Sequence, residues 1–230
     1  MNNFNQVLLA ALGQTSLLPV FRFADAFTWQ QTIDVCYACG IRTLEYTEGL
    51  THRKISFYKE LFHHTRQYPD LHLGFNTINA KQAAHFCGEG AAFIASSFLH
   101  DDMASLSQTY AIPWIPGCNS EEDIISAKQQ GASIISLLPG SFMPADVGSL
   151  KIKFPDLHFI PSSGIMMNNH SIGEWLKAGA LCIRMSKKLF PYEDVAVKDW
   201  EKLKRNMNAV LNQIKMLKDE AQVAAYSAFH

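Results

Sequence analysis

An α/β fold, specifically a (β/α)8 barrel of the TIM type forming one domain over residues 1–230, is what this sequence predicts. Three observations point to it. Short apolar runs rich in β-branched and aromatic residues alternate with longer stretches of helical periodicity. Gly40, Gly90, Gly131 and Gly179 each stand where a helix should stop and a strand begin, a place where glycine supplies the left-handed C-cap without steric cost. No Pro/Gly/Ser-rich linker or low-complexity stretch divides the chain. Repeated βα units of this length wind into an open sheet or close into a barrel, and eight strands favour closure.

The elements follow in order. Asn2–Gly13 reads as an N-terminal helix closing the barrel floor, and Leu17–Arg22 as the first strand. Helix Thr28–Cys39 leads to strand Ile41–Thr47, and His52–Tyr68 to Leu71–Phe75. Ala80–Gly88, with Asn79 as its cap, leads to Ala92–Ser96, and Asp101–Tyr110 to Ile112–Ile115. Glu121–Gln130, capped from Asn119-Ser120, precedes Ser133–Leu138. A weaker helical pattern at Asp146–Lys153 precedes His158–Pro161. Ile172–Ala178, capped from Asn168-Asn169, precedes Leu181–Met185, and Val195–Ala225 reads as the last helix with an extension.

Composition removes several classes of function. With 48% hydrophobic and 18% charged residues the chain matches a globular protein and neither a disordered nor a fibrous one. Twenty basic against 21 acidic residues give a net charge of −1, so no global basic field invites nucleic acid. No apolar run approaches the roughly 18 residues of a membrane span, and residues 1–14 lack a secretory leader pattern. These features predict a cytoplasmic protein. Five cysteines, at 36, 39, 87, 118 and 182, are scattered and odd in number, which predicts reduced thiols. Cys36 and Cys39 have redox or zinc spacing, but no second pair completes a site, and they read as part of a core helix. Glu45, His52 and His100 are too dispersed to argue a metal site from spacing. Gly88-Glu89-Gly90 is only part of a dinucleotide fingerprint. No cofactor is implied.

In such a barrel, chemistry gathers at the C-terminal ends of strands. The candidates there are Arg22; Glu45 and Thr47; Asn76 and Thr77; Ser96 and Ser97; Pro116 and Gly117; Ser136 and Pro139; Ser162, Ser163 and Gly164; and Arg184 to Lys188, including Ser186 and Lys187. Glu45 is the most informative, because alternation places its carboxylate on one strand face with Thr43 and Thr47. Burial would raise its pKa toward acid–base use and a neighbouring arginine would lower it again. A structural ion pair with Arg22, or a barrel-lining hydrogen bond, is the plainer alternative. Ser162-Ser163-Gly164-Ile165 ahead of a helix, with Arg184, Lys187 and Lys188 on the next strand end, suits a phosphate or carboxylate. A simple turn flanked by solvated cations is the alternative there.

Taken together, the ordered motifs Leu18-Pro19-Val20-Phe21-Arg22, Gly40-Ile41-Arg42-Thr43-Leu44-Glu45-Tyr46-Thr47, Gly74-Phe75-Asn76-Thr77, Ile115-Pro116-Gly117, Leu137-Leu138-Pro139-Gly140 and Pro161-Ser162-Ser163-Gly164-Ile165 resemble the 2-keto-3-deoxy-6-phosphogluconate (KDPG) / 4-hydroxy-2-oxoglutarate (KHG) aldolase family. The likeness runs from Leu17 to Leu189. It implies a lyase, commonly a homotrimer, that splits a phosphorylated 2-keto-3-deoxy sugar acid into pyruvate and an aldehyde. The family's sixth-strand lysine forms an imine with the substrate ketone, and its second-strand glutamate moves protons. Glu45 matches that glutamate and Arg22 the first-strand arginine. Ser136, in Ile135-Ser136-Leu137-Leu138-Pro139, stands at the lysine position, and a hydroxyl cannot form an imine. Gly49 aligns with a family arginine, Ser97 with a proline and Ser163 with a glycine of the phosphate loop. Arg184-Met185-Ser186-Lys187 replaces a glycine-rich segment.

Three functions follow: aldol cleavage with a displaced amine; a degenerate barrel that binds a keto acid or sugar phosphate through Arg22, Thr77, Ser163, Gly164 and Arg184; or a proton-transfer enzyme that uses Glu45 without a covalent intermediate.

Overall fold

All eight expected strands form, each flanked by helices, in a computed structural model that describes residues 3–23, 25–47, 55–138, 140–162, 165–166 and 168–228. In chain order they are α1 (Asn3–Thr15), β1 (Leu17–Phe21), α2 (Ala26–Ala38), β2 (Thr43–Thr47), α3 (Ile55–Thr65), β3 (His72–Asn76), α4 (Ala80–Glu89) and β4 (Phe93–Ser96). They continue with α5 (Asp101–Tyr110), β5 (Trp114–Cys118), α6 (Glu121–Gln129), β6 (Ile134–Leu137), α7 (Pro144–Lys153), β7 (His158–Pro161), α8 (Asn169–Lys177), β8 (Ile183–Met185), α9 (Tyr192–Ala196) and α10 (Trp200–Ala228). Every strand pair is parallel and the sheet order is β7-β6-β5-β4-β3-β2-β1-β8. At the remaining seam the Leu181 N–H donates to the Phe159 carbonyl at 2.8 Å, so the (β/α)8 barrel is nearly closed. Among the described residues no helix is long and apolar enough to cross a membrane.

Local chemistry sets the boundaries. Gly40, Gly90, Gly131 and Gly179 have φ of 86°, 104°, 95° and 98°, the left-handed conformation that ends a helix and turns the chain into the next strand. The side chains of Asn79, Ser120 and Asn168 accept from the Gln82, Asp123 and Ser171 amides, so Ser120 and Asn168, rather than Asn119 and Asn169, are the caps. β1 stops at Phe21, leaving Arg22 beyond its last pairing, and β2 starts two residues later than Ile41. β5 runs to Cys118 instead of stopping at Ile115. Ala111, at φ 53°, first redirects the chain, and the Ile112 N–H is still spent on Ser107 O of the preceding helix. The expected helix Val195–Ala225 is two helices. Lys198 takes φ 57° between α9 and α10, and the Asp199 side chain caps α10 by accepting from the Lys202 amide at 2.9 Å.

Two apolar layers hold these elements. The larger lies between the sheet and the helices, with Trp29, Tyr46, Phe75 and Phe86 fully buried in it. The smaller fills the barrel and joins Leu8 and Leu12 of α1 to Leu18, Phe93, Ile115, Ile134, Ile160 and Cys182. Helix α1 therefore plugs the floor. Above that floor, Gly74 leaves room for the Phe93 ring, whose Cζ would lie 2.1 Å from an added Cβ. Gly117 lets the chain pass the Ser97 carbonyl, 2.5 Å from where a Cβ would stand.

Candidate active site in the barrel mouth

Strand alternation decides which side chains enter the barrel. Leu18, Phe93, Ile115, Ile134 and Cys182 belong to the interior cluster, so the residues two further on, Val20, Ala95, Gly117, Ser136 and Arg184, share their inward face. On β2, the inward set is Thr43, Glu45 and Thr47. Glu45 and Ser136 each have a glycine beside them in register, Gly74 and Gly117, and the room these leave is taken by the Phe93 ring and by the Ser97 carbonyl.

Arg184 extends inward from β8 toward both. Its Nη2 donates to Glu45 Oε1 as a close ion pair, and its Nη1 lies 3.5 Å from Ser136 Oγ. Thr47 Oγ1 donates to the same carboxylate oxygen at 3.2 Å. Glu45 is 1% exposed and the Arg184 side chain 13%. Burying two charges costs several kcal/mol per ion and is tolerated only when each meets the other with hydrogen bonds. Here the carboxylate has two donors, whereas the guanidinium, with five N–H groups, directs one toward Glu45 and one toward Ser136. Arg184 Nε is buried without a partner, as is Thr43 Oγ1 beneath the pair. A fixed cation with donors to spare is suited to a carboxylate or ketone oxygen.

This placement revises the expectations for two arginines. Glu45 pairs with Arg184 and not with Arg22, because β1 has ended before Arg22, which is exposed above the mouth. Arg184 is not at the surface: its position on β8 turns it inward, and β2 supplies its counter-ion. The other candidates are dispersed. Thr77 is buried at the entry to α4, where its hydroxyl donates to Gln82 Oε1 at 2.9 Å and accepts from the Asn79 amide. Pro116 shares the outward face of Trp114 and Cys118. The Ser162 hydroxyl is committed to the Leu137 carbonyl at 2.9 Å. Ser186 is half-buried at the mouth beside exposed Lys187, and the Lys188 ammonium donates to the Ile165 carbonyl at 2.7 Å. Ser163 and Gly164 lie outside the described residues, as do Gly49, His52, Arg53 and Pro139.

Thiol chemistry finds no support here. Cys182 lies on the inward face of β8, two residues before Arg184, and its complete burial pushes its pKa far up; Arg184 opposes the shift and Glu45 adds to it. Burial likewise raises the Cys118 thiol to about 12. Both stay protonated and unreactive. Cys36 is buried in the helix–sheet core, in keeping with the reading of the Cys36/Cys39 pair as part of a core helix. Among the described residues no three His, Cys, Asp or Glu side chains converge as a metal site.

A feature without a sequence signal is a cleft of about 660 Å³ over the ends of β1 and β8. Val20 and Ser186 reach it from the inward face, and Phe23 and Phe190 from the outward one. Phe23 and Phe190 meet edge to face with ring centroids 6.0 Å apart.

A nearly closed (β/α)8 barrel with a buried carboxylate and cation toward the C-terminal ends of its strands places the protein among the TIM-type barrels. The particular family is shown by sequence: the family model for KDPG and KHG aldolases matches residues 9–206, and the chain belongs to that family. A 2-dehydro-3-deoxy-phosphogluconate aldolase from Pseudomonas aeruginosa is 23% identical over 195 residues, 84% of this chain and 86% of its own. One from Pseudoalteromonas atlantica is 27% identical over 197 residues, 83% and 87% of the two chains. Among solved structures, the KDPG aldolase of Legionella pneumophila, with pyruvate captured as a covalent carbinolamine, superposes with a TM-score of 0.72 at 23% identity, covering 88% of this chain and 97% of that one. The 2-keto-3-deoxy-6-phosphogluconate aldolase of Zymomonas mobilis with 3-phosphoglycerate gives 0.68 at 20% identity, covering 93% and 95%.

Proposed function

We propose that this barrel binds a 2-oxo acid in its mouth and holds it without forming an imine. The observation that carries the reading is the meeting of Glu45, Ser136 and Arg184 at the barrel centre, on strands none of which contains a lysine. A covalent carbinolamine, as in the Legionella relative, needs a neutral amine within reach of the ketone. A guanidinium is protonated at every physiological pH and is no nucleophile, yet it can accept the carboxylate or ketone oxygens of the same ligand through charge-assisted hydrogen bonds. In this reading Ser136 stands where the family's amine stands, and the central positive charge comes from β8 instead of β6. Lys187 and Lys188 follow β8 and lie at the rim.

The carboxylate beside the cation favours a second reading of the same site. With a 2-oxo acid bound, Arg184 would polarise the ketone while Glu45 accepts a proton from the adjacent carbon. That is enolisation, and it needs no covalent intermediate. Exchange of pyruvate methyl protons with deuterated solvent, followed by NMR, would report it, and Glu45→Gln would stop it. The homotrimer common in the family is part of the proposal and is read from the mass in light scattering.

The binding reading is tested by incubating the protein with pyruvate and borohydride and weighing it intact, alongside its thermal midpoint with and without pyruvate. The expected result is a raised midpoint and no adduct. A reduced pyruvate adduct on one lysine would restore imine chemistry, and an unchanged midpoint would remove the binding claim.

A further inference from the structure

We propose that the Thr47 hydroxyl relays protons between the Glu45 carboxylate and solvent when Glu45 takes a proton from the carbon beside the ketone of a bound 2-oxo acid. This inference rests on the enolisation reading of the mouth and assigns the route by which its proton leaves. A route is needed because Glu45 is 1% exposed and cannot hand a proton to bulk water directly. Among the described residues its carboxylate has two partners, and both donate to Oε1: Arg184 through Nη2, and Thr47 through Oγ1 at 3.2 Å. The two differ in what they can do with a proton. A guanidinium has donors only and keeps its charge at every physiological pH, so Arg184 neither takes the proton up nor passes it on. A hydroxyl donates one proton and accepts another on its lone pairs, so Thr47 does both.

Placement agrees with that role. Thr47 is the last residue of β2, two beyond Glu45 on the same inward face, and it is half-buried where Glu45 is fully buried. Its hydroxyl therefore lies on the strand-end side of the carboxylate. The other hydroxyls of the centre offer no such path: Ser136 Oγ lies 3.5 Å from Arg184 Nη1 and has no hydrogen bond to Glu45, and Thr43 Oγ1, on the floor side, is buried without a partner. The step balances. The C–H bond beside the ketone breaks toward Glu45, its electron pair becomes the C=C bond of the enolate, and Arg184 holds the oxygen that gains the charge. The protonated carboxyl then donates to Thr47 Oγ1, whose own proton passes to a water molecule. A deuteron from deuterated solvent returns along the same path, and its delivery to carbon restores the ketone.

Exchange of pyruvate methyl protons with deuterated solvent, followed by NMR on the intact protein, on Thr47→Val and on Thr47→Ser, tests the assignment. Valine keeps the β-branched shape and removes the hydroxyl, whereas serine keeps the hydroxyl and removes the methyl group, so packing and proton transfer predict opposite orders. Thr47→Val is expected to slow exchange at least about tenfold, the scale on which positioned proton transfer acts, while the pyruvate-dependent rise in thermal midpoint persists. Thr47→Ser is expected to recover most of the lost rate. Exchange in Thr47→Val as fast as in the unaltered chain would overturn the relay and leave the enolisation reading standing. Slower exchange in Thr47→Ser than in Thr47→Val would also overturn it, since packing would then be what Thr47 supplies. No exchange on the unaltered chain would overturn the enolisation reading and the relay together.

Discussion

The floor and the mouth of this barrel are built from the same strands, one inward position apart, yet they follow opposite rules. At the floor, α1 brings Leu8 and Leu12 against Leu18, Phe93, Ile134 and Ile160, all buried and all apolar. Higher up, the inward positions hold Glu45, Ser136 and Arg184, with one carboxylate, one guanidinium and polar atoms still lacking partners. The floor gains stability from every inward side chain. The mouth gives some of it up to hold a buried pair of charges. Family membership extends over both regions, and the proposed function draws on the mouth alone.

Perturbing each layer sharpens that contrast. Phe93→Ala would empty the space above Gly74 and is expected to cost about 3–5 kcal/mol in chemical denaturation, the largest single loss, since a ring is removed from a packed interior. Arg184→Met is expected to cost about 3 kcal/mol, because it leaves the Glu45 carboxylate buried and unpaired. Adding Glu45→Gln to it should recover much of that loss, whereas nothing in the mouth should rescue Phe93→Ala. Arg184→Met should also abolish the pyruvate-dependent rise in thermal midpoint. A variant that keeps the rise would break the link between the guanidinium and binding.

A smaller effect concerns pH at the N-terminal ends of β3 and β7. Burial holds His72 below its ordinary value, opposed by Asp70; burial also lowers His158, with Lys151 adding to the shift. An imidazole whose folded pKa is depressed binds protons more readily in the unfolded chain, so its contribution is intact above about 6.5 and lost as pH falls through the folded pKa. Denaturation midpoints should decline from roughly pH 7 to pH 5, and a His72→Gln/His158→Gln variant should show a shallower decline. A steeper slope in that variant would contradict the assignment.

Much of the barrel is legible in the sequence because its signals are local. Glycine at a helix end and asparagine or serine at a helix start act within four residues, and α5, Asp101–Tyr110, starts and stops where its pattern says. Boundaries shift where a neighbour decides, as at β5, whose pairing with β6 extends it to Cys118. The break at Lys198 leaves no trace in the helical periodicity that runs through it. Glu45 and Ser136 stand out by strand alternation and by likeness to the family. The Glu45–Arg184 pair spans 139 positions, and only closure of the barrel brings it together. Nothing in the sequence around Arg184 distinguishes an inward guanidinium from a phosphate-binding one, because β8 is only three residues long and its alternation is barely expressed. The cleft between Phe23 and Phe190 is likewise invisible to spacing, since it exists between two loops.

The central claim is that the cation of the mouth comes from β8 and occupies the space an amine on β6 would need. Borohydride trapping with pyruvate on the unaltered chain, on Ser136→Lys and on Ser136→Lys/Arg184→Gly measures this directly. With the guanidinium directed at position 136, the account predicts no adduct on the unaltered chain, little on the single variant and more labelling of residue 136 in the double variant, where the introduced amine replaces the guanidinium as the cation beside Glu45 and captures pyruvate covalently, without the reversible binding that Arg184 supports. Equal labelling of the two variants, or any adduct on the unaltered chain, would contradict it.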